Sequence, residues 1–148
     1  MPPEPPLSSD TLHASSVAKD GRAVLICGPS GAGKSDLSLQ LIDRGFLLVS
    51  DDRTVVHRDG NQLIASAPAQ IAGKLEIRGI GIVEVDTASD VPISLLVELT
   101  GDIERLPDDG RTRPILGVDL PLVNVDAKAA SAASKVAIAL ERFGLRAP

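Results

Sequence analysis

The chain has almost no aromatic residues. Phe46 and Phe143 are the only two, with no Trp and no Tyr, so a core must be assembled from Leu, Ile, Val and Ala. A single cysteine, Cys27, excludes an internal disulfide framework and a multi-cysteine zinc site; its apolar neighbours mark it as a packed strand residue before a redox thiol. Basic residues are outnumbered 15 to 20, giving a formal charge of −5, which argues against a nucleic-acid partner because the phosphate backbone selects basic surfaces. No apolar run reaches the length of a membrane span. The opening MPPEPPLSSD has no basic-then-apolar signal segment, and residues 1–11 read as a disordered tail. What remains is 43% apolar over 148 residues, enough for one domain across 12–148 and consistent with a cytoplasmic protein.

The punctuation of the chain points to an α/β domain with a mixed sheet. Residues 23–27 (AVLIC) form a short apolar run that predicts a buried strand. A glycine-rich loop follows, then a helix over 34–44 with Leu37, Leu41 and Ile42 inward and Gly45 at its left-handed cap. Residues 46–49 predict a second strand that ends at Asp51-Asp52. Runs 54–57 and 62–65 flank an Asp-Gly hairpin signal. Residues 75–85 (LEIRGIGIVEV) are strand-like but interrupted by glycines, and 93–99 predict a further strand. Residues 101–113 form a charged loop with three arginines, followed by short strands at 115–118 and 122–125. An alanine-rich helix over 128–143 turns Val136, Leu140 and Phe143 to one face.

Chemistry enters with Gly28-Pro29-Ser30-Gly31-Ala32-Gly33-Lys34-Ser35, which fits G-x-x-x-x-G-K-[ST] at every specified position. The glycines let backbone N–H groups converge on phosphate oxygens, and Gly33 opens a helix whose N-terminus favours an anion. Lys34 is placed to reach the outer phosphates, and the Ser35 hydroxyl to ligate Mg²⁺. A random chain of this length matches the pattern roughly once in two hundred, so the deciding support is its context between a predicted strand and a predicted helix. No N-K-x-D base-reading motif of a GTPase is present, and the chain is short for a motor or large ATPase.

Asp51 and Asp52 follow Lys34 by seventeen and eighteen residues. A strand returning after the phosphate-loop helix ends on the ligand side of an open α/β sheet. A carboxylate there can take the proton of an acceptor hydroxyl or organise a metal, or it can be a solvated turn. Alternation predicts that one of the pair faces the phosphates. In LEIRGIG, the same rule sets Glu76 and Arg78 on one face. They read either as a surface ion pair or as a metal-binding carboxylate beside a phosphate-binding guanidinium. Gly79 and Gly81 imply a close backbone approach or a bulge.

Taken in order, His13, GPSGAGKS, RGFLLVSDD, LEIRGIGIVEV and the ERL around Arg105 resemble the catalytic domain of HPr kinase/phosphorylase over about residues 12–143. The resemblance implies a P-loop kinase domain with a mixed sheet, like the nucleotide-binding core of phosphoenolpyruvate carboxykinase. It implies ATP and Mg²⁺ as cofactors and a regulatory serine of the phosphocarrier HPr as acceptor. It also implies a homo-oligomer, hexameric in many members. Carried over by residue, Lys34 would hold donor phosphates, Ser35 and Glu76 would bind Mg²⁺, and Arg78 would support the phosphate site. Asp52, with Asp51 beside it, would be general base; His13 matches an active-site histidine, or else packs near the sheet; and Arg105 would meet the protein substrate. Arg111 and Arg113 read as solvated or partner-facing charges.

Two departures follow. The longer members carry a further N-terminal domain, so the expectation is a short form like those of α-proteobacteria. Where they carry a PVRPGRN-like segment tied to dephosphorylation, this chain has residues 126–132, DAKAASA, which favours kinase over phosphorylase activity. The competing readings are a nucleotide-sensing module without catalysis and a small-metabolite P-loop kinase.

Overall fold

The computed structural model describes residues 8–107 and 110–146. In chain order the elements are β1 (Ser9–Leu12), β2 (Ala14–Lys19), β3 (Arg22–Cys27), α1 (Lys34–Asp43), β4 (Leu47–Ser50), β5 (Thr54–Asp59) and β6 (Gln62–Ser66). They continue with β7 (Lys74–Ile77), β8 (Gly81–Glu84), β9 (Val91–Leu99), β10 (Thr112–Ile115), β11 (Val118–Val125) and α2 (Ala132–Phe143).

Strands β3 and β9 are parallel neighbours in the middle of a mixed sheet, with Ala23 opposite Ile93 and Cys27 opposite Glu98. On one side β3 pairs antiparallel with β2, and β2 with β4, so β4 runs in the same direction as β3 and ends on the same side. On the other side β9 splits its partners. Its first residues pair antiparallel with β6, which leads to β5 and β1. Its last four pair in parallel with β11, which carries β10. β7 and β8 form a separate hairpin.

The apolar run of β3 is continuous because both faces are covered. Val24 and Ile26 pack with Leu37 and Leu41 of α1 and Val136 and Leu140 of α2. Ala23 and Leu25 face a second cluster with Val56, Leu63 and Leu120, built by the curl of the sheet. Burying each such Leu or Val contributes roughly 1.5–3 kcal/mol relative to exposure. In β9, Ile93 belongs to the second cluster and Leu95 to the first. Residues two apart share a face in a regular strand, so this reversal marks the bulge where the β3–β9 register shifts. The bulged Ser94 accepts Leu145 N–H on its carbonyl at 2.9 Å, which ties down the segment after α2.

Helix α1 ends as its sequence predicts. Gly45 takes φ 98°, its N–H donates to Ile42 O at 3.0 Å, and Phe46 N–H donates to Leu41 O at 3.1 Å. That pair of bonds is a Schellman cap, with Phe46 folded onto Leu41 in the core.

Several expectations are corrected. The expected tail ends earlier: Ser9–Leu12 pairs antiparallel with β5. This edge strand is polar and mostly exposed, so it lacks the apolar alternation by which a strand is recognised. Residues 1–7 lie outside the described residues. The strand expected over 115–118 is broken at its centre: Ile115 ends β10, Val118 opens β11, and Leu116 at φ 48° with Gly117 at φ 80° joins them, the signature of a two-residue type I′ loop. Residues 75–85 fold back as the β7–β8 hairpin, where Gly79 at φ 86° supplies the reversal. Helix α2 begins at Ala132, and Phe143 on its last turn is 46% exposed while Val136 and Leu140 are buried.

Candidate active site

The site forms where β3, β4 and the start of α1 meet. After β3 the chain turns through the glycine loop: Ala32 N–H donates to Pro29 O at 3.0 Å, and Gly33 at φ 100° is the N-cap of α1. A Cβ at Gly33 would lie 3.0 Å from that of Ala127, so Ala127 packs against the base of the loop. Lys34 is buried, and its ammonium donates to Gly28 O at 2.8 Å and Pro29 O at 3.2 Å. The flexible stem thus keeps the charge within the loop that would cradle phosphates.

A polar cleft of about 310 Å³ opens over the loop, lined by Ser30, Gly31, Gly33, Lys34, Ser35, Asp36, Asp52, Glu76 and Arg78. Residues far apart in sequence therefore converge on one site. The β7–β8 hairpin brings Glu76 and Arg78 to it, and both line the cleft. Leu75 anchors the hairpin's other face in the core. Asp36 adds to the wall and was not anticipated.

Of the two aspartates one lines the cleft, as alternation predicts: it is Asp52, while Asp51 lies beneath. Asp51 is buried and accepts the Ser35 hydroxyl on Oδ1 at 2.7 Å and the Glu76 N–H on Oδ2 at 3.0 Å. Asp52 is exposed, with Oδ1 3.1 Å from Nε2 of His13, which sits between β1 and β2. Asp52 lies past the end of β4 with φ 66°, so the turn sets its direction. A hydroxyl layer from β2 lies beneath: Ser16 Oγ is 2.9 Å from Thr54 Oγ1, and Ser15 touches both aspartates. Nothing in the sequence signalled these residues, since buried serines resemble exposed ones on paper.

The arginines of the charged loop are not in the cleft. Arg105 lies in the exposed 101–107 segment, apart from the lining residues. Arg111 pairs with Glu104 at 2.5 Å and Arg113 with Glu98, so both are engaged within the chain and are not simply solvated. Residues 108 and 109 of this loop lie outside the described residues. Cys27, close to the Arg113–Glu98 pair, has its thiol pushed up to about 11, chiefly by burial, which makes it the packed residue its neighbours suggested. A larger groove of about 370 Å³, lined by residues including Ile103, Leu122 and Phe143 with Arg111 and Arg142, lies apart from the phosphate loop and shares none of its residues.

Hard oxygen donors are the only ligand type the cleft offers. The Ser35 hydroxyl and the Glu76 carboxylate are donors of the kind a magnesium ion takes. Among the described residues no three His, Cys, Asp or Glu side chains cluster into a metal cage. No helix of the described residues is long and apolar enough to cross a membrane.

The strand–loop–helix with Lys34 and Ser35, set in this mixed sheet, defines a P-loop domain of the kinase type. The chain belongs to the HPr Serine kinase C-terminal domain family, whose profile matches residues 7–143. It is 43% identical over 131 residues to the HPr kinase/phosphorylase of Limosilactobacillus reuteri, covering 80% of this chain and 41% of that protein. With the HPr kinase/phosphorylase of Prosthecochloris aestuarii it shares 40% identity over 127 residues, 77% of this chain and 37% of that one. The structure of the Hpr(Ser) kinase/phosphatase from Coxiella burnetii superposes with a TM-score of 0.77 at 33% identity, covering 89% of this chain and 94% of that chain. The chain thus spans about two fifths of the length of the curated relatives it matches.

Proposed function

We propose that this chain carries the catalytic site of a serine kinase that moves the terminal phosphoryl group of ATP, with Mg²⁺, onto a regulatory serine of an HPr-like phosphocarrier protein. The observation that carries this reading is the placement of Asp52, partnered by His13, in the same cleft as Lys34 and Ser35. A phosphate-binding loop alone binds; an exposed carboxylate across the cleft gives an acceptor hydroxyl somewhere to send its proton.

In this scheme Lys34 and Arg78 hold the donor phosphates and offset their charge. Asp52 accepts the proton of the serine hydroxyl as its oxygen bonds to the γ-phosphorus and the bond to the ADP oxygen breaks. His13 orients the Asp52 carboxylate. Ser35 and Glu76 would hold the magnesium, and Asp51 fixes Ser35. When bound, the metal supplies neutralisation of phosphate charge. Arg105 is assigned to the acceptor protein, outside the cleft. The reading is for the kinase direction, because Ala127 and its neighbours at the loop base lack the arginines tied to phosphorolysis. A cytoplasmic location and a homo-oligomer, hexameric by family resemblance, belong to the same reading.

The test is incubation with γ-labelled ATP, Mg²⁺ and purified HPr. Label on an HPr serine is expected. Transfer only to a small metabolite, or ATP binding without any transfer, would reject it in favour of a metabolite kinase or a nucleotide-sensing module.

A further inference from the structure

Asp52 sits at the apex of a tight turn. Arg53 N–H donates back to Asp51 O at 2.7 Å across it, and Asp52 has φ 66°. A three-residue turn with positive φ at its centre is strained for a residue that carries a side chain, and such strain persists where the surroundings over-determine it. The surroundings here include one fully buried hydroxyl. Ser15 Oγ accepts the backbone N–H of Asp52 at 2.9 Å and directs its own hydrogen toward Asp51 Oδ1 at 3.4 Å. One atom of β2 therefore contacts both acids, the backbone of one and the carboxylate of the other. The β2–β4 register shift next to Ser16 brings the end of β4 over this serine, a place where bulges re-aim side chains.

We propose that Ser15 is a positioning residue for phosphoryl transfer. It holds the Asp52 turn so that this carboxylate projects into the cleft, while Asp51 stays turned toward Ser35. The inference rests on the kinase reading for its catalytic consequence; its structural half stands without it. Removing the hydroxyl frees the Asp52 N–H and lets the turn relax, so the loss falls on the transfer step and spares nucleotide binding.

The test compares Ser15→Ala, Ser15→Cys and Ser15→Thr in the full chain. Ser15→Cys preserves the buried volume while replacing the oxygen by a poor acceptor, and Ser15→Thr keeps the hydroxyl. With HPr as acceptor, Ser15→Ala and Ser15→Cys are expected to lower kcat about tenfold or more with the KM for ATP within about twofold. Ser15→Thr should recover most of it. In an Asp52→Asn background the Ser15→Ala change should cost less than about twofold, because residues acting through one another are non-additive. Amide hydrogen exchange supplies a readout independent of turnover: the Asp52 N–H should exchange about tenfold faster or more in Ser15→Ala and Ser15→Cys. An equal loss of kcat in both backgrounds, wild-type rates in Ser15→Cys, or unchanged Asp52 exchange would each overturn the assignment. If the wild type transfers no phosphate to HPr, the kinase reading fails, and the exchange result alone decides whether Ser15 holds the turn.

Discussion

His13 Nε2 lies 3.1 Å from Asp52 Oδ1, and each side chain is 55% exposed. At that exposure the pair adds little to stability, so its value lies in aiming a carboxylate. Asp52→Asn is therefore expected to lower kcat for HPr phosphorylation by about 10²–10⁴-fold, the range general-base catalysis supplies. Both ATP affinity and thermal midpoint should be nearly unchanged. His13→Ala should give a smaller loss in kcat with the same unchanged affinity. Steady-state kinetics beside ATP titration checks this; a variant Asp52→Asn with full turnover would remove Asp52 from the proton-transfer role.

Lys34 makes the converse prediction. Its ammonium already lies against the loop carbonyls of Gly28 and Pro29, so it meets phosphate at little cost in ordering. Lys34→Met should weaken ATP binding by at least about tenfold, equivalent to about 1.4 kcal/mol, and remove turnover as a consequence. Calorimetric titration with ATP and Mg²⁺ measures it. Unaltered affinity would mean that the loop backbone does the binding alone.

Much of this site was legible before any coordinates. The phosphate loop and its helix follow from glycine spacing and a flanking apolar run, both local in sequence. Even the Schellman cap at Gly45 could be placed from one glycine. What escaped depends on contacts between distant segments. Ser15 and Thr54 matter only because β2 and β5 bring them under the acid pair, and no periodicity marks a serine as buried. The bonds of the buried Asp51 to the Ser35 hydroxyl and the Glu76 N–H escaped for the same reason, since they join segments distant in sequence. Likewise the β1 edge strand carries no apolar stripe, so its pairing with β5 shows only once the sheet is assembled.

Cys27 links stability to pH. Its thiol rises from an ordinary 9.0 to about 11 in the folded chain, mainly through burial. The folded state holds this proton more tightly than the unfolded state, so the contribution is fully present below about pH 9 and is lost as pH rises through 11. The difference corresponds to on the order of 2 kcal/mol across that window. Urea unfolding at pH 8 and pH 10.5 should show a drop that shrinks in Cys27→Ala, whose side chain does not titrate. At pH 8 roughly a thousandth of the thiol is ionised, so thiol reagents should label the native protein far more slowly than the urea-unfolded chain. Rapid native labelling would contradict the burial.

Gly33 combines two constraints at one atom. Its φ of 100° is a conformation that side chains rarely adopt, and a Cβ would meet the Ala127 methyl at 3.0 Å. Gly33→Ala therefore strains the N-cap of α1 and presses Ala127 away from the loop. The expected cost is about 1–3 kcal/mol of stability, larger than an ordinary surface change because the two penalties add. Since the Gly33 backbone also lines the cleft, ATP affinity should fall with stability. A second variant separates the two constraints. Gly31→Ala meets a positive φ of 82° but nothing within 4 Å, so it carries the backbone penalty without the clash. Gly31→Ala should lie between wild type and Gly33→Ala in thermal midpoint. Equal midpoints for the two alanine variants would show that contact with Ala127 contributes nothing to the loop.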